Sequence, residues 1–356
     1  MRSWTAAVAV AYAACWWGPP TTPHAPPPVA PAWTVATPVA ARLEAVWGAS
    51  ASDVFAVGER GTIVRSRDRG ATWQPLASRT DFALHAIAGT GSDDIYVVGD
   101  RDHNGPGGEA VLLHSADDGA TWQARAVPHL VLALAVVATG PGHALAFGQL
   151  DDKSTMSREP RALVDQPSAC IGCSGGAFVA TADAGASWTV RGQSVQMEWV
   201  SAAWRRGPTV WVAGYANASV AAASDLMASQ DGGQRYAAEP AGRLADPGLI
   251  ADTPHGLWGS SVDDVYAVGP RGLVMHRDGD RWSVLHIGAA DLLAVWGSDA
   301  RDVWIAGAAG TLLHVHDGRN FEHLPAQTRA DLRGVWGASA NDVYVVGDHG
   351  TIAHWQ

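Results

Sequence analysis

One unit, repeated along most of the chain, constrains the fold more than any other feature. Three segments align almost without gaps: LEAVWGASASDVFAVGERGTIVRSRDRGATWQPL from Leu43, LLAVWGSDARDVWIAGAAGTLLHVHDGRNFEHL from Leu292, and LRGVWGASANDVYVVGDHGTIAHWQ from Leu332. Further copies start at His255 and Leu84, and two degenerate ones run from about Leu130 to Arg191 and from about Glu198 to Glu239. That makes seven units of roughly 40 residues, the size of a propeller blade. Each unit reads as four short strands: A-V-W-G, D-V-Y-A-V-G, G-T-I-V-x-S and T-W-x-x-L, punctuated by Gly and Asp. A four-stranded sheet cannot cover both of its own faces. Radial packing of seven such sheets covers them and leaves only short edges. The expected fold is therefore all-β: a single seven-bladed β-propeller spanning residues 33–356.

The last copy stops at Gln356, after its third strand. The missing fourth strand should carry a Trp, as at Trp73, Trp122, Trp188 and Trp282. Trp33-Thr34-Val35-Ala36-Thr37 has that character and precedes the first copy. It is expected to complete the last blade, pairing an otherwise open edge and locking the ring.

Residues 1–15 read as an export signal. Arg2 is followed by the small apolar run Ala6 to Ala14 and by Cys15, and Tyr12-Ala13-Ala14-Cys15 is similar to a bacterial lipoprotein box. Lipidation of Cys15 and an ordinary signal peptide with an incidental cysteine both remain open. Residues 16–32, WWGPPTTPHAPPPVAPA, form a proline-rich extended linker. The chain is thus expected to be exported, as a periplasmic or outer-membrane lipoprotein or as an extracellular protein. Cys170 and Cys173 are most simply a local disulfide in such a compartment. A second C-x-x-C, which a zinc site of that kind would need, is lacking. The net charge of −11, without any Lys/Arg run, speaks against nucleic-acid binding.

Between the third and fourth strands the pattern S-x-D-x-G-x-T-W recurs. It is carried by Asp68, Gly70 and Trp73, by Asp117, Gly119 and Trp122, and by Asp183, Gly185 and Trp188. A decayed copy holds Asp231 and Gly233 and ends in Tyr236. The Asp is expected to accept backbone N–H bonds across the turn. The Gly should supply positive φ, and the Trp should bury its ring beneath the hairpin. With these residues the chain resembles the Asp-box (BNR-type) propellers, the repeat class shared by sialidases and photosystem II assembly factor-like repeat proteins. The W-G-x-S-x-x-D-V-Y variant looks like the repeats of bacterial propeller lipoproteins. The resemblance implies a fold, and it leaves activity open.

Repetition also separates architecture from chemistry. Asp53, Asp94, Asp264, Asp302 and Asp342 share one place before the second strand, and His114, His276, His314 and His354 share one place in the third. Residues repeated from blade to blade are read as structural, so neither metal nor cofactor is expected. Sialidase chemistry needs an arginine cluster and a Tyr nucleophile with a carboxylate partner. Only Tyr215 is free of a repeat role, and the sialidase arginine signature is missing. The clearest departures from the repeat are enlarged loops between the second and third strands of blades two, three and four. They hold the candidate binding residues Arg101, Asp102, His103, Asp151, Asp152, Arg158 and Tyr215. The expectation is a monomeric scaffold that binds a protein or glycan on that face. A carbohydrate-active enzyme and an envelope assembly factor are the alternatives.

Overall fold

The computed structural model describes residues 32–101, 108–150, 176–194, 197–216, 226–239, 253–318 and 320–356. Cys15, Asp102, His103, Asp151, Asp152, Arg158, Cys170 and Cys173 lie outside the described residues, as do the leader and the linker up to residue 31. The described strands form seven antiparallel four-stranded sheets. In blade 1 they are Leu43–Ser50, Asp53–Gly58, Thr62–Ser66 and Gln74–Leu76. Blades 2 to 7 begin at Ala83, Leu130, Met197, Gly256, Leu292 and Leu332. The seven first strands touch one another in sequence around the ring, and that of blade 7 returns to that of blade 1. The fold is a seven-bladed β-propeller.

The ring closes through the N-terminus. Trp33–Ala36 pairs antiparallel with Ile352–Trp355, placing Trp33 opposite Trp355 and Ala36 opposite Ile352. The Ala32 N–H donates to the Gln356 carbonyl at 3.1 Å. The indole of Trp33 is 6% exposed. It meets Trp304 of blade 6 edge-on at 5.8 Å and Trp355 at 5.5 Å.

That contact follows a rule. The aromatic residue at the start of a fourth strand reaches past its own hairpin to the second-strand aromatic of the preceding blade. Trp122 of blade 2 meets Phe55, Trp282 of blade 5 meets Trp211, and Trp73 of blade 1 meets Tyr344 of blade 7. Burial beneath the same hairpin, the expectation from sequence, captured only part of this. Each edge-to-face pair contributes about 0.5–1.5 kcal/mol beyond its buried area, and each joins two blades. Trp33 is the same device at the closing seam.

A second contact repeats at the inner strands. The first-strand Trp of one blade lies against the first-strand Gly of the next: Trp336 on Gly48, Trp47 on Gly89, Trp204 on Gly259, Trp258 on Gly297 and Trp296 on Gly337. A Cβ on Gly48 would sit 2.2 Å from Cη2 of Trp336. Glycine is required here because the neighbouring indole fills the space of a side chain.

The S-x-D-x-G-x-T-W turns are closed by their own side chains. Asp68 Oδ1 accepts the Thr72 N–H at 2.8 Å, and Oδ2 accepts the Thr72 hydroxyl at 2.6 Å. Ser66 donates to Asp68 and accepts the Gly70 N–H at 2.8 Å. The pattern recurs with Asp117 and Asp183. Two successive residues are left-handed in each turn, Arg69 with Gly70, Asp118 with Gly119 and Ala184 with Gly185. The sequence pattern signals only the second of each pair.

The repeated Asp and His belong together. His114, His276, His314 and His354 donate Nε2–H to Asp94, Asp264, Asp302 and Asp342 of their own blades, at 2.5–3.0 Å. Each imidazole lies against the blade's second-strand aromatic, with Tyr344 and His354 at 3.9 Å and 7°. Blade 1 substitutes Arg65, which grips Asp53 with two nitrogens at 2.6 and 2.8 Å and covers the Phe55 ring. These pairs are interior to single blades, as the repeat implied.

They also set the acid response. Burial opposes ionisation of Asp264 and Asp302, but the bonds from their His and Ser partners outweigh it and hold both carboxyls below the ordinary 3.8. In the turns, the Thr72 hydroxyl and N–H lower Asp68, and Ser187 brings Asp183 down to about 2. Carboxyls acidified by folding contribute stability that is complete above their unfolded value and lost as pH falls through the folded one. His354 acts earlier. Burial drives it below 6.5 despite the pull of Asp342, so the fold favours the neutral ring and loses stability as pH drops below 6.5. Calorimetry is expected to show a shallow decline of Tm starting near pH 6.5 and a steep one below about pH 4. His354→Gln should remove the shallow component alone.

Candidate functional site

In an antiparallel meander, every turn between the second and third strands emerges on the same face as the blade-to-blade connections. In blades 1, 5, 6 and 7 that turn is a single fixed motif. Glu59–Gly61, Pro270–Gly272, Ala308–Gly310 and Asp348–Gly350 each place a left-handed residue in the middle. Blades 2, 3 and 4 depart from it. Their second strands end at Arg101, Leu150 and Ala216, and their third strands begin at Glu109, Gly176 and Leu226.

Two of the sequence-derived candidates fall within the described part of this face. Arg101 ends the second strand of blade 2. Its Nη2 donates to Asp81 at 2.8 Å, and its guanidinium lies 4.4 Å above the Phe82 ring. Tyr215 is near the end of the second strand of blade 4. It stacks on Trp199 with ring centroids 4.7 Å apart and an angle of 11°. Both rings are half-buried, so their outer surfaces reach solvent. Trp199 pairs with Tyr215 between two register shifts, at Met197/Trp199 and Val200/Ala202, in a blade that lacks the A-V-W-G segment of the repeat. Only the pairing with Tyr215 brings it to the loop end. Arg101 and Tyr215 stand two blades apart on one face, and the structure does not bring them into contact.

Inward from these residues, blades 7, 1 and 2 place charge at the inner end of the same face. Arg333 contacts Asp348 at 2.6 Å and Asp331 at 3.4 Å. Burial works against the Arg333 charge, but Asp348, Glu44 and Asp331 prevail and strengthen it. Arg42 bridges Glu44 at 2.6 Å and Glu59 at 2.9 Å. His85 Nε2 is 2.9 Å from Asp100, which is fully buried. Each of these carboxylates thus has a basic partner. Tyr215 rests on an indole ring. Glycoside hydrolysis needs a carboxyl pair available to flank a sugar, and a Tyr nucleophile needs a carboxylate beside it. On this face Tyr215 stacks on Trp199, and Asp331 and Asp348 share the Arg333 guanidinium. Among the described residues no three His, Cys, Asp or Glu side chains converge as metal ligands.

The described strands define a seven-bladed propeller whose turns between second and third strands follow one motif in blades 1, 5, 6 and 7. Solved structures share the fold. The chain is similar to YCF48 bound to D1 peptide, with 17% identity, 91% of this chain and 96% of that chain covered, and a TM-score of 0.65. It is similar to the GH74 xyloglucanase from Xanthomonas campestris, with 14% identity over 91% of this chain and a TM-score of 0.64, but it spans only 53% of that enzyme. The WD40 propeller domain of Doa1 matches at 12% identity, 91% and 95% coverage and a TM-score of 0.58. No protein-family model matches the chain, and no curated protein does. Identities this low establish the fold alone.

Proposed function

We propose that the propeller is a rigid platform that binds a protein partner through the face bearing the loops between second and third strands. The observation that carries this is the Trp199–Tyr215 stack, two half-exposed aromatic rings near the end of the second strand of blade 4. Stacked aromatics offer a large contact area at low entropic cost, which is why Tyr and Trp are enriched at interfaces. The paired state of the carboxylates at the inner end favours binding over hydrolysis. That YCF48 is bound to a peptide supports a polypeptide ligand for this fold. A partner held during assembly of an envelope complex is one form of this reading. The segment from Arg2 to Cys15 and the proline-rich stretch behind it support export and a tether. We also read the S-x-D-x-G-x-T-W turns as Asp boxes with a purely structural role, on their shared hydrogen bonds.

The immobilised full chain, challenged with extract from its source cells and with a glycan array, tests this reading. A discrete retained protein is expected. The Trp199→Ala/Tyr215→Ala double variant should lose it while still melting cooperatively, with Tm lowered by about 2–8 °C because both rings are half-buried. Retention of a defined glycan without any protein would favour the carbohydrate-directed alternative.

A further inference from the structure

Among the described residues, seven other than glycine hold left-handed backbone on the face of the turns between second and third strands. Arg60, Arg271, Ala309 and His349 occupy the centres of the four fixed turns, with φ between 53° and 57°. Arg79, His129 and Gln327 occupy connections between blades. Glycine adopts this conformation without steric cost, and among side chains Asn, Asp and His tolerate it best. None of the seven is Asn or Asp, three are Arg and two are His. Ala309 builds the same turn as Arg60, so the turn itself does not call for arginine. Backbone held against local preference clusters at functional sites.

Among the described residues, only blade 1 carries arginine both in its turn and in the connection that follows. The two segments touch. The Gly61 N–H donates to the Phe82 carbonyl at 2.6 Å, and a Cβ on Gly61 would sit 2.0 Å from the Thr80 carbonyl oxygen. Arg60 and Arg79 are both exposed, and neither forms an ion pair among the described residues. Carboxylates of this face are already engaged. Arg42 holds Glu44 and Glu59, Arg101 holds Asp81, and Arg333 holds Asp331 and Asp348. Uncompensated positive charge is left at blade 1, on a chain whose net charge is −11.

We propose that Arg60 and Arg79 dock an acidic segment of a polypeptide partner at the blade 1 rim of this face. Guanidinium groups match a carboxylate's two oxygens, and clusters of arginine recur wherever acidic motifs are held. The inference rests on the platform reading for its choice of face and adds the chemistry of the partner.

Two measurements on the full chain at low ionic strength test the proposal. One is fluorescence anisotropy with a labelled peptide of alternating Glu and Gly and with its Gln–Gly counterpart. The other is co-sedimentation with phosphatidylglycerol vesicles. The Glu peptide should bind at least about tenfold more tightly than the Gln peptide, and added salt should weaken it. Arg60→Gly/Arg79→Gly should weaken it at least about fivefold while Tm holds or rises, because glycine relieves the left-handed backbone. Arg60→Lys/Arg79→Lys should keep most of the binding. Arg69→Gly, which removes an exposed left-handed arginine from the opposite face, should change nothing. Equal binding of the two peptides, unchanged binding by Arg60→Gly/Arg79→Gly, or sedimentation with vesicles without binding of the Glu peptide would each overturn the assignment. The platform reading fails separately, if no protein is retained from extract of the source cells. A protein retained equally by the unaltered chain and by Arg60→Gly/Arg79→Gly would overturn the acidic-segment assignment and leave the platform standing.

Discussion

Deletion of residues 33–39 is expected to lower Tm by about 10 °C or more, and Trp33→Ala alone by roughly 5–10 °C. Removing a buried Trp costs about 3–5 kcal/mol, and a domain of this size shifts by about 2 °C per kcal/mol. Trp33 is nearly buried between Trp304 and Trp355, so few atoms can relax into the space it leaves. The deletion also strips the backbone partners of Ile352–Trp355 and exposes that edge in blade 7. Differential scanning calorimetry checks both values. A deletion variant that melts like the intact chain would show that the N-terminal strand is dispensable to the ring.

Gly48→Val acts on the same seam from the inside. Its Cβ would enter the ring of Trp336, with three indole carbons between 2.2 and 2.8 Å. Trp336 also packs on Tyr344 at 6.1 Å, which limits its retreat. Overpacking of this kind costs about 1–3 kcal/mol or more. The decisive measurement is the double-mutant cycle. Trp336→Ala is itself destabilising, yet combined with Gly48→Val it should be less so than the sum, because the cavity of one change accepts the methyls of the other. Strict additivity of the two losses would mean that the Trp–Gly contact does not join blades 7 and 1.

These seams explain what could be read from sequence. The strand order, the blade count and the use of Trp33–Ala36 follow from spacing inside the repeat, since each blade is a local meander. Pairing of Asp with His could be suspected from their shared positions. Contacts between blades leave no spacing of their own. The Trp–Gly junction joins residues such as Trp336 and Gly48, whose separation along the chain is set by the ring and by no motif. The left-handed Arg69, Asp118 and Ala184 were hidden for another reason. Their side chains differ, and only the following Gly marks the turn. Trp199 falls in a degenerate blade that lacks the A-V-W-G and D-V-Y-A-V-G segments of the repeat, so no repeat position marks it. Of the candidate binding residues, Arg101 and Tyr215 were found as departures from the repeat, and both fall on the loop face.

The partner-binding reading is most directly tested by photo-crosslinking from position 215. A benzophenone amino acid replaces Tyr215 in the full chain, and a control carries it at Asp118, in the turn between third and fourth strands on the other face. Both are irradiated in extract from the source cells. The expected result is one discrete protein adduct from position 215, competed by excess unlabelled chain, and none from position 118. Equal adducts from both positions, or none from 215 while the chain retains a defined glycan, would contradict the account.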